Sequence, residues 1–236
     1  AIARLVGWLL HLSGHQVGLA CQDGLYLGNR HVDTRPSAHW DAGQRLLMNR
    51  DVDAVVLEHS AAAILSDGLA YDRCAVGVVT DLDLDGLAGL ERHDVHDLDQ
   101  LYRVLRTQVD VVLSDGVAVL NADDARVLQM AALCDGEVIL YGMDAASPAL
   151  QAHREAGSRT VSVFEGMLVL AEGVRKAHRV RLDAPAVQRL ADALGMHTLM
   201  AVAAAAWALQ VSPELMAAGM ETSGLAPATS EPELVR

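Results

Sequence analysis

Short apolar runs, separated by helical or looped segments, constrain the fold of this chain more than any other feature of its sequence. Each run holds only a few consecutive apolar residues, as strands buried on both faces of a sheet require. The five runs are QVGLAC, DAVVLEH, AVGVVTD, GVAVLNA and EVILYGM. Helical patterns lie between them over Ala42–Asn49, Asp97–Val109 and Ala122–Leu133. The alternation predicts a three-layer, mostly parallel α/β sheet.

The pattern changes after Ala152. The segment TVSVFEGMLVLAEG alternates around Glu165-Gly166, which predicts a hairpin, and RKAHRVRL can add a third antiparallel strand. A helix is expected from about Ala184 to Gln210. Another begins at Ser212-Pro213-Glu214, where an N-cap, a proline and an acid suit the first turn.

The two ends of the chain have different sequence patterns. Residues 1–13 have the apolar spacing of a helix that Gly14 ends. Residues 223–236 have the Pro, Ser and Thr content of a linker, which indicates a further domain beyond it. We therefore expect one domain over residues 1–222, followed by this linker.

Composition narrows the possible partners. The chain has 236 residues, 52% of them hydrophobic, which suffices for one α/β domain with a sizeable core. Its formal net charge is −13, and Lys176 is its one lysine. Such a surface repels nucleic acid and anionic membranes, so we exclude both as main partners. A nucleotide remains possible, because magnesium and backbone N–H groups can offset phosphate charge locally.

Cysteine usage and the apolar segments indicate a cytoplasmic protein. Cys21, Cys74 and Cys134 are far apart and form no CxxC pair, which predicts buried free thiols in a reducing compartment. The start of the chain has neither a basic region nor a cleavage site typical of a signal peptide. The run LMAVAAAAWAL is too short to span a bilayer comfortably. We expect a soluble chain.

The stretch VVTDLDLDGL places Asp81, Asp83 and Asp85 two residues apart and then a glycine, as at the start of an EF-hand calcium loop. The twelfth position of such a loop needs a bidentate Glu, but here it is Arg92, and the preceding CAVGVV resembles a buried strand. We therefore set the EF-hand aside. An acidic turn at the carboxyl end of a parallel strand fits better, and ligands bind at that edge of α/β sheets.

Several stretches, taken in order, resemble the Mur-ligase-like module of the cyanophycin synthetases. They are AVVLEHSAAAILSDGLAYDRCAVGVVTDLDLDGL, AVLNADD, SPALQAHREAG and MLVLAEG, and the similarity extends over most of residues 1–222. The resemblance implies a central domain of the Mur-ligase type that uses ATP and Mg²⁺. In that family ATP phosphorylates a carboxylate, and an amine attacks the acyl-phosphate to give an amide. For cyanophycin synthetase, arginine is joined to the side chains of a poly-aspartate backbone, and an assembly of identical subunits is implied.

The resemblance implies metal ligands at the ends of two strands. Glu58 stands where the family places a magnesium-binding glutamate, and Asp85 matches the aspartate of its Thr-Asn-x-x-x-Asp-His loop. Asp81 stands at the asparagine of that loop, and together with Asp83 it can help to retain magnesium. His59 could replace a lost ligand, but successive strand residues point to opposite faces, which argues against it.

The resemblance also implies a nucleotide contact after the GVAVLNA strand. Asn121, Asp123 and Asp124 match the family's Asn-Ala-Asp-Asp motif, whose asparagine contacts the nucleotide base. An alternative for the two acids is a helix start, where carboxylates stabilise the dipole without a ligand. His153 also matches a family histidine, although a helix-surface residue that caps a turn is the commoner explanation. No catalytic side chain is assigned.

Other positions depart from the family pattern. The phosphate loop Gly-Thr-Asn-Gly-Lys-Thr-Thr is expected just before Ala1. The family's magnesium-binding His is Gly86, its Ala-Arg-Gly-Gly reads Ser60–Ala63, an expected lysine is Leu105, and its Gly-Pro-Gln-Ser-Ala turn aligns with His39–Gly43. Each lost cation or metal ligand weakens a site for a triphosphate. Two hypotheses follow: a ligase module, or a catalytically inactive relative with a structural or oligomer-forming role.

Overall fold

The computed structural model describes residues 1–225, which form ten strands and ten α-helices. The strands are β1 Val17–Cys21, β2 Gly24–Leu27, β3 Arg30–Asp33, β4 Ala54–Leu57, β5 Cys74–Val79, β6 Val112–Asn121, β7 Glu137–Asp144, β8 Arg159–Phe164, β9 Met167–Glu172 and β10 Lys176–Arg181. The helices are α1 Ile2–Leu12, α2 Trp40–Leu47, α3 Ala61–Asp67, α4 Leu98–Leu105, α5 Thr107–Asp110, α6 Ala125–Gln129, α7 Pro148–Glu155, α8 Pro185–Leu194, α9 Met196–Ala208 and α10 Pro213–Thr222. Of the predicted linker, residues 226–236 lie outside the described residues.

The strands form two sheets, with the orders β3-β2-β1-β4 and β10-β9-β8-β7-β6-β5. Strands β1 and β4 are parallel, as are β5 to β8, whereas β9 and β10 join antiparallel. The predicted α/β fold is confirmed, and all five apolar runs are strands. The predicted single sheet is divided, since β4 and β5 are not paired in the part of the chain that the structure describes.

Helices cover both faces of the six-stranded sheet. On one face α9 packs with α1, α8 and α10 over alternate residues of the central strands, such as Val119 and Ile139. On the other face α4, α6 and α7 pack over the intervening residues, such as Leu120 and Leu140. Residues that alternate along a strand point to opposite faces, so these two clusters are the two cores of a three-layer structure.

The helix predicted from Ala184 to Gln210 is two helices, α8 and α9, whose axes differ by 109°. They meet at Gly195, which has φ +83° and ψ 150°. Only glycine adopts that backbone region readily, so the sequence forces the break there. Within residues 1–225 no single helix is long and apolar enough to cross a membrane, although this bent pair passes that test when both helices are counted together.

We expect Gly195→Ala to lower the free energy of unfolding by about 1–3 kcal/mol, because a Cβ strains this backbone conformation. The matched control is Gly7→Ala in α1, where an added Cβ would lie 3.5 Å from Leu19, an ordinary contact. The control should raise stability by about 0.5–1 kcal/mol, because alanine favours helices. Urea unfolding followed by circular dichroism measures both, and equal effects would contradict the assignment of the break to Gly195.

Candidate functional site

A cavity of about 1050 Å³ lies between β4 and β5. Its two side walls are these strands, and it is covered by α9 through Ala205 and Ala208 and by the α4–α5 region through Leu105 and Gln108. The first residues of α1 also line it. The carboxyl ends of both strands open into the cavity, the place where ligands bind in parallel α/β sheets.

Two of the three predicted metal ligands line this cavity. Glu58 follows β4 and Asp81 follows β5, and both line the cavity together with Asp83. Asp85 lies on the exposed one-turn helix Asp85–Leu87, beside Gly86. Within residues 1–225 no three His, Cys, Asp or Glu side chains are close enough to hold a metal ion together. Magnesium commonly binds through one or two carboxylates, waters and substrate phosphates, so Glu58 and Asp81 fit that cation.

Backbone N–H groups donate hydrogen bonds to two of these acidic side chains. The Glu58 Oε2 accepts a hydrogen bond from the Gln22 N–H at 3.4 Å. The Asp83 Oδ1 accepts one from the Gly86 N–H at 2.8 Å, which closes the turn of the acidic loop. Asp83 therefore shapes its own loop and does not simply add charge to the site.

The positions where the family resemblance implies cations lie in the cavity wall and are uncharged. Ala61 and Leu105 both line the cavity. Among its described lining residues the one Arg or Lys is Arg73, whose Nη1 donates to the Asp110 carbonyl at 3.4 Å. Arg73 precedes β5, at the end of the strand opposite to Asp81. Among the described residues, the carboxyl edge of the cavity therefore has acids without a matching Arg or Lys.

His59 lines the cavity beside Glu58, and the expectation that the two side chains point to opposite faces stays a prediction. The strand ends at Leu57, so strand alternation no longer governs the residues that follow it. Its ring packs edge-on against Tyr71 with a centroid distance of 5.6 Å. Within the described residues its Nδ1 is buried without a hydrogen-bond partner, and burial lowers the pKa of His59. The ring is therefore neutral at pH 7 and does not supply the missing positive charge.

The three cysteines are free thiols, as predicted. Cys21 is buried, whereas Cys74 and Cys134 are half-buried. Burial, with a smaller effect of Cys134, raises the pKa of the Cys74 thiol to about 11. Cys74 lines the cavity but stays protonated at neutral pH, so it is a poor nucleophile.

Asp124 caps the helix that follows the Asn-Ala-Asp-Asp motif. Its Oδ1 accepts the N–H groups of Arg126 and Val127 at 2.8 and 3.1 Å, so α6 begins at Ala125 and not at Ala122 as predicted. Its Oδ2 accepts the Leu82 N–H at 2.8 Å, which fixes the loop after β5 to the start of α6. The helix-start interpretation accounts for these contacts without a ligand.

Asn121 and Asp123 lie beside Asp124 at the carboxyl end of β6. The Asn121 Oδ1 accepts the Asp123 N–H at 3.0 Å, and Asn121 is 7% exposed. The Asp123 Oδ2 accepts the Met143 N–H at 2.8 Å and lies 2.9 Å from the His197 Nε2. A nucleotide contact for Asn121, Asp123 and Asp124 stays a prediction.

Two residues near this edge were missed by the sequence analysis. His197 opens α9 and is separated from Asp123 by 74 residues, so no local pattern could pair them. Tyr141 is fully buried, and its hydroxyl has no hydrogen-bond partner within residues 1–225. Burial, reinforced by the nearby carboxylates of Asp81, Asp123 and Asp124, raises the pKa of Tyr141. The phenol is thus a neutral donor close to the acidic edge.

His153 has a structural contact. Its Nε2 lies 2.9 Å from the Val138 carbonyl oxygen and therefore carries the proton, because a carbonyl only accepts. This bond attaches α7 to β7, as expected of a structural histidine on a helix surface.

We expect Asp124→Ala to lower the free energy of unfolding by about 2–3 kcal/mol, because it removes a cap and leaves the Leu82 N–H without its acceptor. The matched control is Asp97→Ala, since Asp97 caps α4 through one bond to the Gln100 N–H at 2.7 Å. The control should cost about 1 kcal/mol. Urea unfolding gives both values, and equal losses would show that the Leu82 contact contributes nothing.

Several cyanophycin synthetases are similar to this chain in sequence. The chain is 32% identical to the cyanophycin synthetase of Crocosphaera subtropica over 170 residues, which cover 72% of this chain and 19% of that protein. It is 29% identical to the cyanophycin synthetase of a Nostoc species over 226 residues, or 93% of this chain and 24% of that protein. The chain thus spans a quarter or less of the length of these relatives. No protein-family model matches the sequence.

Solved structures give the same fold. A UDP-N-acetylmuramoyl-L-alanyl-D-glutamate–2,6-diaminopimelate ligase superposes with a TM-score of 0.65 at 15% identity, covering 93% of this chain and 43% of that one. At this identity the similarity concerns the fold alone, which is that of the Mur ligases. The chain is therefore similar in sequence to part of the cyanophycin synthetases, and it has the fold of the Mur ligases.

Proposed function

We propose that this chain is the nucleotide- and magnesium-binding part of an ATP-dependent ligase that forms amide bonds. The proposal rests on the observation that Glu58 and Asp81 both line one cavity, at the carboxyl ends of β4 and β5. The relationship to the cyanophycin synthetases supplies the reaction class. Because the chain covers only part of those proteins, the activity of the whole enzyme is part of the proposal.

Glu58 and Asp81 would hold Mg²⁺, with Asp85 as a further ligand on the adjoining turn. Bound there, the cation offsets phosphate charge, which this acidic edge cannot do with its own side chains. Asn121 would orient the base by hydrogen bonds, and Asp123 and Asp124 would keep the connection after β6 in place beside it. This chain would position the nucleotide and balance the charge of its phosphates, the two effects that dominate the catalysis of phosphoryl transfer.

The proposed reaction has two steps. A side-chain carboxylate of a poly-aspartate backbone takes the γ-phosphoryl group of ATP, which gives an acyl-phosphate and ADP. The α-amine of arginine then attacks the acyl carbon, so that the C–N bond forms, phosphate leaves and the amine loses a proton. A site for the amine would lie outside this chain. We further propose a homo-oligomer that works in the cytoplasm.

We expect a polypeptide that contains this chain to bind Mg–ATP, and Glu58→Gln combined with Asp81→Asn to weaken that binding by about tenfold or more. Adding Asp85→Asn tests the third predicted ligand. Asp115→Asn is the control, since this exposed acid lies in β6 on the amino-terminal side of Asn121. Isothermal titration calorimetry with and without magnesium measures each affinity. Absence of binding at millimolar nucleotide would defeat the ligase proposal, and an unchanged magnesium dependence would defeat the ligand assignment.

A second candidate function is a catalytically inactive relative that keeps the fold for a structural or oligomer-forming role. It is favoured by the uncharged cavity wall at Ala61 and Leu105, where the family resemblance implies cations. An acidic edge without cations repels a bare triphosphate. The two candidates therefore differ in whether magnesium alone suffices to retain the nucleotide.

Leu105→Lys tests whether the missing cation limits nucleotide binding. We expect the added ammonium to improve Mg–ATP affinity roughly fivefold, about 1 kcal/mol, and the gain to shrink at high salt. Leu105→Met controls for the change in packing and should leave affinity unaltered. Calorimetry at low and high salt measures the difference, and an equal affinity for the lysine and methionine variants would show that no phosphate lies near position 105.

A further inference from the structure

Strand β10 is a basic, exposed edge in an otherwise acidic chain. Residues 175–181 read RKAHRVR and contain four Lys and Arg residues but no Asp or Glu, whereas the whole chain has a formal net charge of −13. All of these residues are exposed except Val180. The strand is the last of the six-stranded sheet, so its outer N–H and C=O groups have no partner strand within residues 1–225. The segment thus combines an open hydrogen-bonding edge with a local excess of positive charge.

The basic side chains of β10 lie on both faces of the sheet. Val180 is buried in the core on the α9 side, so Lys176 and His178 are on that side of the strand. Arg179 and Arg181 are on the other face, where their partners in β9 are only half-buried. A strand that paired with the outer edge of β10 would therefore meet positive charge above and below the sheet.

The described chain neutralises only part of this charge. The Arg175 and Arg179 guanidinium groups form neither an ion pair nor a side-chain hydrogen bond within residues 1–225. Lys176 and Arg181 each pair with one nearby acid, but both pairs are exposed to solvent. Exposed pairs contribute little free energy, so another carboxylate can replace the acid at low cost. All four cations are thus accessible to a ligand.

The charge of β10 restricts which molecules can pair with its edge. Two copies of β10 side by side would bring Arg and Lys side chains opposite one another, which destabilises a strand pair. A nucleic acid or polyphosphate offers no strand to pair with the backbone groups, and the acidic remainder of the chain repels it. An extended acidic peptide satisfies both the backbone groups and the basic side chains.

We propose that β10 binds an extended acidic segment of another polypeptide, which adds to the six-stranded sheet as its next strand. Strand addition takes affinity from main-chain hydrogen bonds and specificity from side chains. Because both faces of β10 are basic, the segment needs Asp or Glu at consecutive positions over about six residues. Opposed residues of neighbouring strands have Cβ atoms about 5 Å apart, and an arginine can hold a carboxylate through two N–H groups. The inference does not depend on the proposed ligase function.

Fluorescence anisotropy with a labelled hexa-aspartate peptide tests the proposal on a polypeptide that contains this chain, without nucleotide. We expect saturable binding at about 50 mM salt that weakens at about 300 mM. Arg175→Gln combined with Arg179→Gln should weaken the binding by about tenfold, because two opposed charge pairs are lost.

The matched control is Arg50→Gln combined with Arg103→Gln, which removes the same charge from exposed positions outside β10. The control should keep the affinity within about twofold, because salt screens distant exposed charges. Absence of saturable binding would show that the basic residues only protect the edge. An equal loss in the control would show a general effect of net charge, and either result would overturn the proposal.

A second peptide tests strand addition separately from charge. Hexa-aspartate that is N-methylated at every residue keeps its carboxylates but has no backbone N–H, so we expect it to bind at least about tenfold more weakly. Equal binding of both peptides, or equal competition by a polyphosphate of the same charge, would show charge attraction alone and overturn the proposal. Sedimentation velocity tests the remaining alternative. Dimers that dissociate when Arg175 and Arg179 are replaced would assign this edge to a second copy of the chain and would also overturn it.

Discussion

The packing of α1 against α9 holds the described structure together, because it joins two sheets that share no backbone hydrogen bonds within residues 1–225. Leu5 and Leu9 of α1 are fully buried in the same core as the alanine-rich α9. Each such leucine contributes about 1.5–3 kcal/mol of burial free energy. The candidate site depends on this helix pair, since Glu58 follows a strand of one sheet and Asp81 a strand of the other. Their separation is therefore set by apolar packing and not by the acids themselves.

Electrostatic balance decides what the site can do. Carboxylates collect at the carboxyl ends of β4 and β5, and the cavity wall nearby is made of Ala61 and Leu105. Under the proposed function, such an edge would attract a divalent cation before a nucleotide, so cation and phosphate would have to arrive as one complex. His59 is neutral, so it adds no positive charge that could hold a phosphate at this edge. In an inactive relative, the same arrangement of residues would have little affinity for the cation or for the nucleotide.

The central strands were predictable from sequence because their composition is sufficient to identify them. The runs around Val56, Val78 and Val119 are apolar on both faces, which only a covered strand requires. Strands β2 and β3 were missed, since they are short and lie in the glycine-containing segment Gly24–Asp33, where turn residues obscure the alternation. The break at Gly195 was missed as well, because an isolated glycine is tolerated within many helices.

The site was less predictable than the fold, because its residues are far apart in the sequence. Glu58 and Asp81 could be placed at strand ends, but whether their strands are adjacent depends on pairing that no local pattern encodes. Asp124 could be described both as a cap and as a ligand, and the contacts with Arg126, Val127 and Leu82 required coordinates. His197 lies in the first turn of α9 and Asp123 follows β6, so their contact joins residues that are 74 positions apart in the sequence.

The three backbone bonds of Asp124 have a consequence for motion. One carboxylate serves both the start of α6 and the loop that carries Asp81, Asp83 and Asp85. That loop cannot swing outward without giving up its bond from Leu82 to Asp124. The acidic turn is therefore held in its conformation without a ligand. The conformational entropy of ordering it is lost during folding and not on binding.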